Sequence, residues 1–301
     1  MKPDSKFAKK MESGDFIVTA EYLPQAGTNG SATEAALKSL GQRPTAINVS
    51  DNHYRTAMSP IAASAAVIQY GAEPVCQIIT RDRNRIALQS DLLGASYFGI
   101  KNILCLSGYH QTLTENPESA GVYDIDSTQF IEMATRMSEK GELSDGTRIE
   151  GPFSMFVGAV ANPFLKPMEL NLLRLNNKVA AGAKFIQTHA VFDIETFGQW
   201  FEAVDSEGIT KKTVILAGVL PLDSAAEAEH LRATFTDCYI PDEVVERLQR
   251  AGDKDAQKKE GLAVCIEIIN KLKTIKGLRG IHILSGGKEQ VVPQILAASG
   301  L

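Results

Sequence analysis

Cysteine is scarce and unpatterned. Four occur in 301 residues, Cys76, Cys105, Cys238 and Cys265, and none forms a Cys-x-x-Cys pair or another metal-ligand spacing. That excludes a disulfide framework or a zinc ribbon, and no metal is expected. Cys76 and Cys105 sit in apolar, strand-like runs and read as buried, reduced thiols of a cytoplasmic protein. Basic blocks are also missing. With a net charge of −5 and no clustered Lys or Arg, the chain lacks what phosphate neutralisation needs, so a nucleic-acid partner is not expected. Apolar runs fall short of a membrane span, and the charged stretch Met1–Gly14 lacks the apolar centre of a signal peptide. Walker, dinucleotide-fingerprint, nucleophile-elbow and zincin motifs are absent. So is a linker rich in Pro, Gly or Ser, and residues 1–301 are expected to form one unit.

What is present is an alternation. The apolar fraction of 44% and charged fraction of 22% suit a soluble globular chain. Short β-rich runs are each followed by a segment of helical period. The strands are expected at Phe16–Pro24, Ala46–Ser50, Pro74–Thr80, Asn102–Ser107, Phe153–Val160, Phe185–Val191, Val214–Leu220 and Ile281–Leu284. Helices are expected at Ser31–Leu40, Ser59–Tyr70, Arg83–Phe98, Ser127–Lys140, Pro167–Ala181, Ile194–Glu207, Ser224–Phe235, Pro241–Arg250, Asp255–Ile275 and Lys288–Ala298. Strand–helix alternation implies a parallel sheet, and eight units in this length suit a closed (β/α)8 TIM barrel with extra helices before the last strand. Function in such a barrel sits where strands end, and the long polar loop Tyr109–Asp126 is expected to join the site or cover it.

Several constellations fall at those ends. Glu21 closes the first strand beside Tyr22 and Leu23, where a carboxyl whose charged form is disfavoured would suit a general acid; a structural carboxylate paired with Lys or Arg is equally compatible. Gln187-Thr188-His189 ends strand six, with Gln187 able to bind a heterocycle as donor and acceptor and His189 an acid, a base or a structural histidine. Arg81, Arg83 and Arg85 with Asp82 could hold an anion, or could be a solvated helix start capped by Asp82. Gly108 after Ser107 permits close backbone approach, and Tyr109 could stack on a ring. Asn171, Arg174 and Lys178 share one helical face, which suits a phosphate-bearing cofactor or a solvating stripe.

Taken together these segments resemble the methylenetetrahydrofolate reductases, of the bacterial, flavin-dependent type. The resemblance is carried by Val18–Pro24, Ile79–Ala95, Gly99–Gly108, Lys178–Thr188 and Gly218–Pro221, and it runs from Phe16 to about Leu296. It implies a flavin, FAD or FMN, over the barrel mouth, reduced by NADH, NADPH or another reductant. The flavin in turn would reduce 5,10-methylenetetrahydrofolate to 5-methyltetrahydrofolate. Glu21 corresponds to the family's acid and Gln187 to its pterin-contacting glutamine. Flavin contacts carry over to Ser50, Gln77, Ser107, Gly108, Ala159, Asn171, Arg174 and Lys178, with Tyr109 beside them. The sequence departs from the family at Tyr109, where an Asp is common, at Ala225 for an aromatic and at Gly286 for an Arg. These departures keep open a flavin-free folate-binding or non-catalytic subunit of a redox complex, or a related methyl-transfer protein. A homo-oligomer, with a redox partner subunit in the complex case, is expected.

Overall fold

The computed structural model describes residues 4–235 and 238–301, so the stretch Met1–Pro3 of the N-terminal reading lies outside the described residues. Eight parallel strands close in chain order: β1 Ile17–Tyr22, β2 Ala46–Val49, β3 Pro74–Ile79, β4 Asn102–Leu106, β5 Phe156–Ala161, β6 Phe185–Ala190, β7 Val214–Val219 and β8 Gly280–Ile283. β1 pairs with both β2 and β8, which shuts the ring. The helices are α1 Lys6–Glu12, α2 Gly30–Leu40, α3 Pro60–Gln69, α4 Arg85–Tyr97, α5 Ser127–Lys140, α6 Met168–Ala180, α7 Ile194–Ser206, α8 Ala225–Thr234, α9 Asp242–Arg250, α10 Lys254–Leu272 and α11 Val292–Ala298. The expected (β/α)8 barrel is present, with α9 and α10 inserted before β8. No described helix is long and apolar enough to cross a membrane.

Strand alternation sorts the side chains. One parity of each strand, including Ala20, Ile47, Ile78, Ile103, Ala159, Ile186, Ala217 and Ile281, packs in the large cluster shared with the helices. The other parity faces the barrel interior. Its lower end is apolar: Ile17, Ala46, Val75, Leu104, Phe185 and Leu216 form a separate cluster. Gly158 fits there because a Cβ would meet the Phe185 ring at 2.2 Å.

The sequence reading gave no helix before β1, yet α1 stoppers this lower end. Phe7 and Met11 belong to the interior cluster, and the Phe7 ring meets Phe185 edge-on at 5.1 Å. Ser5 caps the helix by accepting from the Ala8 N–H. Glu73, just before β3, accepts the Lys6 and Phe7 N–H groups at 2.8 and 3.1 Å, a carboxylate at the positive end of the helix. Seven residues give too little periodicity to announce a helix; its stability comes from this docking.

Smaller corrections have local causes. β5 starts at Phe156, not Phe153. Asn84, rather than Asp82, caps α4, accepting the Ile86 and Ala87 N–H groups. Ser59 occupies the cap position of α3 without a side-chain cap bond, and Pro60 fixes the first turn. Loop 109–126 is pinned to its neighbours: Glu115 N–H donates to Tyr54 O and Val122 N–H to Arg81 O, both at 2.7 Å.

Candidate active site

The polar residues of the interior parity begin in mid-barrel. Asn48 and Gln187 exchange amide hydrogen bonds at 2.7 and 3.0 Å. Gln187 Nε2 also donates to Thr19 Oγ1 at 3.1 Å, and Thr19 Oγ1 lies 2.9 Å from His282 Nδ1. All four residues are buried. Burial lowers the His282 pKa to about 3, so its ring is neutral. The set is consistent when the Thr19 hydroxyl donates to Nδ1 and the imidazole proton stays on Nε2. Gln187 is therefore a floor residue, 1% exposed, with both ends of its amide engaged. A buried polar group stripped of its partner costs about 1–3 kcal/mol, which keeps such a network closed.

Glu21 lies above this floor. It is 8% exposed, and its carboxylate accepts the Gly286 N–H at 3.3 Å. Burial raises its pKa from 4.5 to about 7; the Gly286 N–H opposes the rise, the Glu289 charge adds to it and the Ser285 N–H opposes it. The donors come from the Ser285–Gly287 turn, where Gly286 and Gly287 have φ of 59° and 80°. Lys288, next in the chain, fastens that turn to the β7 loop through Pro221 O and Glu227 at 2.9 Å. Glu289 accepts the Leu23 N–H at 3.2 Å, tying the end of β1 to the same turn. Among the described residues, no Lys or Arg pairs with Glu21.

Gln77 is 6% exposed, and its side-chain amide has no partner among the described residues. Ser50 is buried at the end of β2, with Oγ 3.4 Å from Asp51 O. Ser107 and Gly108 follow β4. Gly108 has φ +83°, and a Cβ there would lie 3.3 Å from Arg81 and Ile79 carbons. The Tyr109 ring packs on Phe235 at 4.8 Å and on His53 at 5.1 Å.

The three arginines read as an anion site are committed within the protein. Arg81 pairs with Asp82 and donates to Asn52 O, His53 O and Tyr109 O. Arg83 pairs with Asp51 at 2.6 Å and with Asp91 at 2.8 Å, and Arg85 with Asp124 at 2.9 Å. On α6, Asn171 donates to Asn162 O and Leu165 O. Lys178 donates to Val160 O at 2.7 Å, and its pKa is lowered by burial and then by Arg174. Arg174 is exposed and has no ion pair or hydrogen-bond partner among the described residues. Ala159 points its side chain toward the helices, leaving only backbone for a ligand.

Glu21, Ser50, Gln77 and Gln187 thus lie on or just after the strands, Ser107, Gly108 and Tyr109 on the β4 loop, and Asn171, Arg174 and Lys178 on α6, which reaches the end of β5 through Asn162 O and Val160 O. The sequence reading missed Thr19, Asn48 and His282; their signal was a polar residue at alternate positions of otherwise apolar strands. It also missed Phe235, Glu289 and Lys288, which no local pattern announces. A cleft of about 580 Å³ lies at the opposite end of the barrel between α1, α5 and β5, lined by Lys9, Glu12 and Thr135 among others. It holds none of these groups.

Comparison with known proteins bears on this arrangement. Residues 6–300 match the family model described as methylenetetrahydrofolate reductase. A probable methylenetetrahydrofolate reductase (NADPH) of Caenorhabditis elegans is 26% identical over 252 residues, covering 82% of this chain and 35% of the relative. The 5,10-methylenetetrahydrofolate reductase of Pectobacterium carotovorum is 21% identical over 187 residues, covering 61% of this chain and 55% of the relative. The chain therefore spans about a third of the worm protein and about half of the bacterial one. A Clostridium thermocellum protein, described as binding two copies of 5-methyl-5,6,7,8-tetrahydrofolic acid, superposes with a TM-score of 0.70 at 13% identity, covering 98% of both chains. That likeness is one of fold.

Proposed function

Because the chain belongs to the methylenetetrahydrofolate reductase family, we propose that it reduces 5,10-methylenetetrahydrofolate to 5-methyltetrahydrofolate, with Glu21 as the acid that assists opening of the imidazolidine ring. The observation that carries this reading is the Glu21 carboxyl itself: buried at the mouth, without a cationic partner among the described residues, and with a pKa raised to about 7. A group with that affinity holds a proton at Oε near neutral pH and can release it to a nitrogen leaving its ring carbon. The Gly286 and Ser285 N–H groups then bear on the carboxylate left behind. Neutral His282 and the Asn48–Gln187 pair make a floor of fixed dipoles without net charge beneath it.

The mouth fits a flavin in part. Gln77 offers an uncommitted amide, and Arg174 offers a cation near Lys178. FAD or FMN held by Gln77, Ser107, Arg174 and Lys178 would supply the hydride, with NADH, NADPH or another reductant behind it. The test is an absorbance spectrum of the purified protein and of the protein after adding FAD or FMN, with turnover measured alongside. Flavin bands with NAD(P)H-dependent turnover support the reading; no flavin bound and no turnover removes it.

One observation favours a second reading, a flavin-free folate-binding or non-catalytic subunit. Tyr109 supplies no carboxylate at the β4 corner, and its ring packs beside Phe235 and His53. Two folates bound by the Clostridium thermocellum protein of like fold are compatible with it. It predicts folate binding by the isolated chain, with turnover only when a partner chain is added.

A further inference from the structure

We propose that the ring cluster at the β2–β4 edge of the mouth, together with Arg55, holds an aryl group that carries a carboxylate: the aroyl-glutamate tail of a folate. This rests on the folate reading above and assigns it a subsite. His53 and Tyr54 come from the β2 loop, Tyr109 from the β4 loop and Phe235 from the end of α8. Tyr109 lies 4.8 Å from Phe235 at 38°, Tyr54 6.3 Å from Phe235 at 53°, and His53 5.1 Å from Tyr109 at 78°. All four rings are partly exposed, so the cluster presents aromatic surface rather than filling a core.

The platform is built rigidly. The Arg81 side chain is 6% exposed, yet much of its guanidinium is spent on the carbonyls of Asn52, His53 and Tyr109, at 2.7, 3.3 and 3.0 Å. It therefore fixes the two loops that carry the His53–Tyr109 ring pair. Gly108 lets the β4 loop approach Arg81 as closely as it does. Tyr54 O is held in turn by the Glu115 N–H at 2.7 Å. Surfaces fixed in advance lose little freedom when a ligand stacks on them.

Arg55 supplies the charge. It follows Tyr54 and lines the same narrow cleft as Ser50, His53 and Tyr54. It is exposed and has no ion pair among the described residues, whereas Arg81, Arg83 and Arg85 all face carboxylates. An aromatic face beside an uncommitted guanidinium matches a benzoyl ring followed by a glutamate.

Calorimetric titration of 5-methyltetrahydrofolate, of its neutral pteroyl-amide counterpart lacking glutamate, and of NADPH separates the outcomes. In Arg55→Gln the folate affinity falls about tenfold and the pteroyl-amide affinity is unchanged, while Arg55→Lys keeps most of the folate affinity. Tyr54→Leu weakens both pterins alike, with thermal unfolding checking that each variant is folded. Equal affinities in parent and Arg55→Gln, or a loss confined to NADPH, overturn the subsite and leave the folate reading standing. Failure of the parent to bind either pterin overturns both.

Discussion

Glu21→Gln tests the site through stability as well as through turnover. A carboxyl whose folded pKa is raised binds its proton more tightly in the folded state than in the unfolded one. Its contribution is fully present below the unfolded value of 4.5 and is lost as pH rises through about 7. At about 1.4 kcal/mol per unit, the loss is of order 3 kcal/mol across that window. Glutamine keeps an oxygen for the Gly286 N–H and removes the charge, so it removes the loss. Urea unfolding of parent and variant is followed by the emission of the one tryptophan, Trp200, which is fully buried in α7. The two proteins unfold alike near pH 4, and the variant is more stable by about 3 kcal/mol near pH 8. Comparing the two cancels the other carboxylates, which titrate in both. Parallel stability curves from pH 4 to 8 would refute the buried, unpaired carboxyl on which the acid assignment stands. In the reductase reading the same variant binds folate but loses turnover.

Other outcomes follow from the same geometry. Gly158→Ala drives a methyl into the Phe185 ring, 2.2 Å from the Cβ position, and lowers stability by about 1–3 kcal/mol in chemical denaturation. Asp51→Ala leaves Arg83 with Asp91 as its one carboxylate partner and strips the Ile79 and Asn52 N–H groups of an acceptor, costing about 3 kcal/mol or more by the same measurement. Cys76 and Cys265, pushed up to about 12 by burial, and Cys105, raised by burial too, resist iodoacetamide at pH 8 until the chain is unfolded, as peptide mass analysis would show.

The barrel was legible because each strand is short, β-rich and followed by a helical period, and no stretch contradicted that rhythm. Glu21 was legible as a carboxylate at a strand end; position alone left its partner open, and among the described residues no Lys or Arg pairs with it. Depth was not legible. Gln187 and His189 both sit near the end of β6, but register places Gln187 opposite Leu216, within the floor, before a shift between Gln187 and Ala190. The Arg81–Arg85 run looked like an anion trap because its partners Asp51, Asp91 and Asp124 are supplied by other segments or a later helical turn. Phe235 reaches Tyr54 and Tyr109 across more than a hundred residues, and no window of sequence contains that meeting.

The stopper helix α1 has a consequence for how the chain assembles. Its cap bonds reach Glu73 and Asn102, 68 and 97 residues away, and Phe7 waits for Phe156 and Phe185. Residues 5–12 emerge from synthesis before every strand of the barrel, yet no seat exists for them until six strands have been made. They are translated early and placed late. Until then Phe7 and Met11 are apolar side chains without a place to be buried, and docking of the stopper takes them out of water.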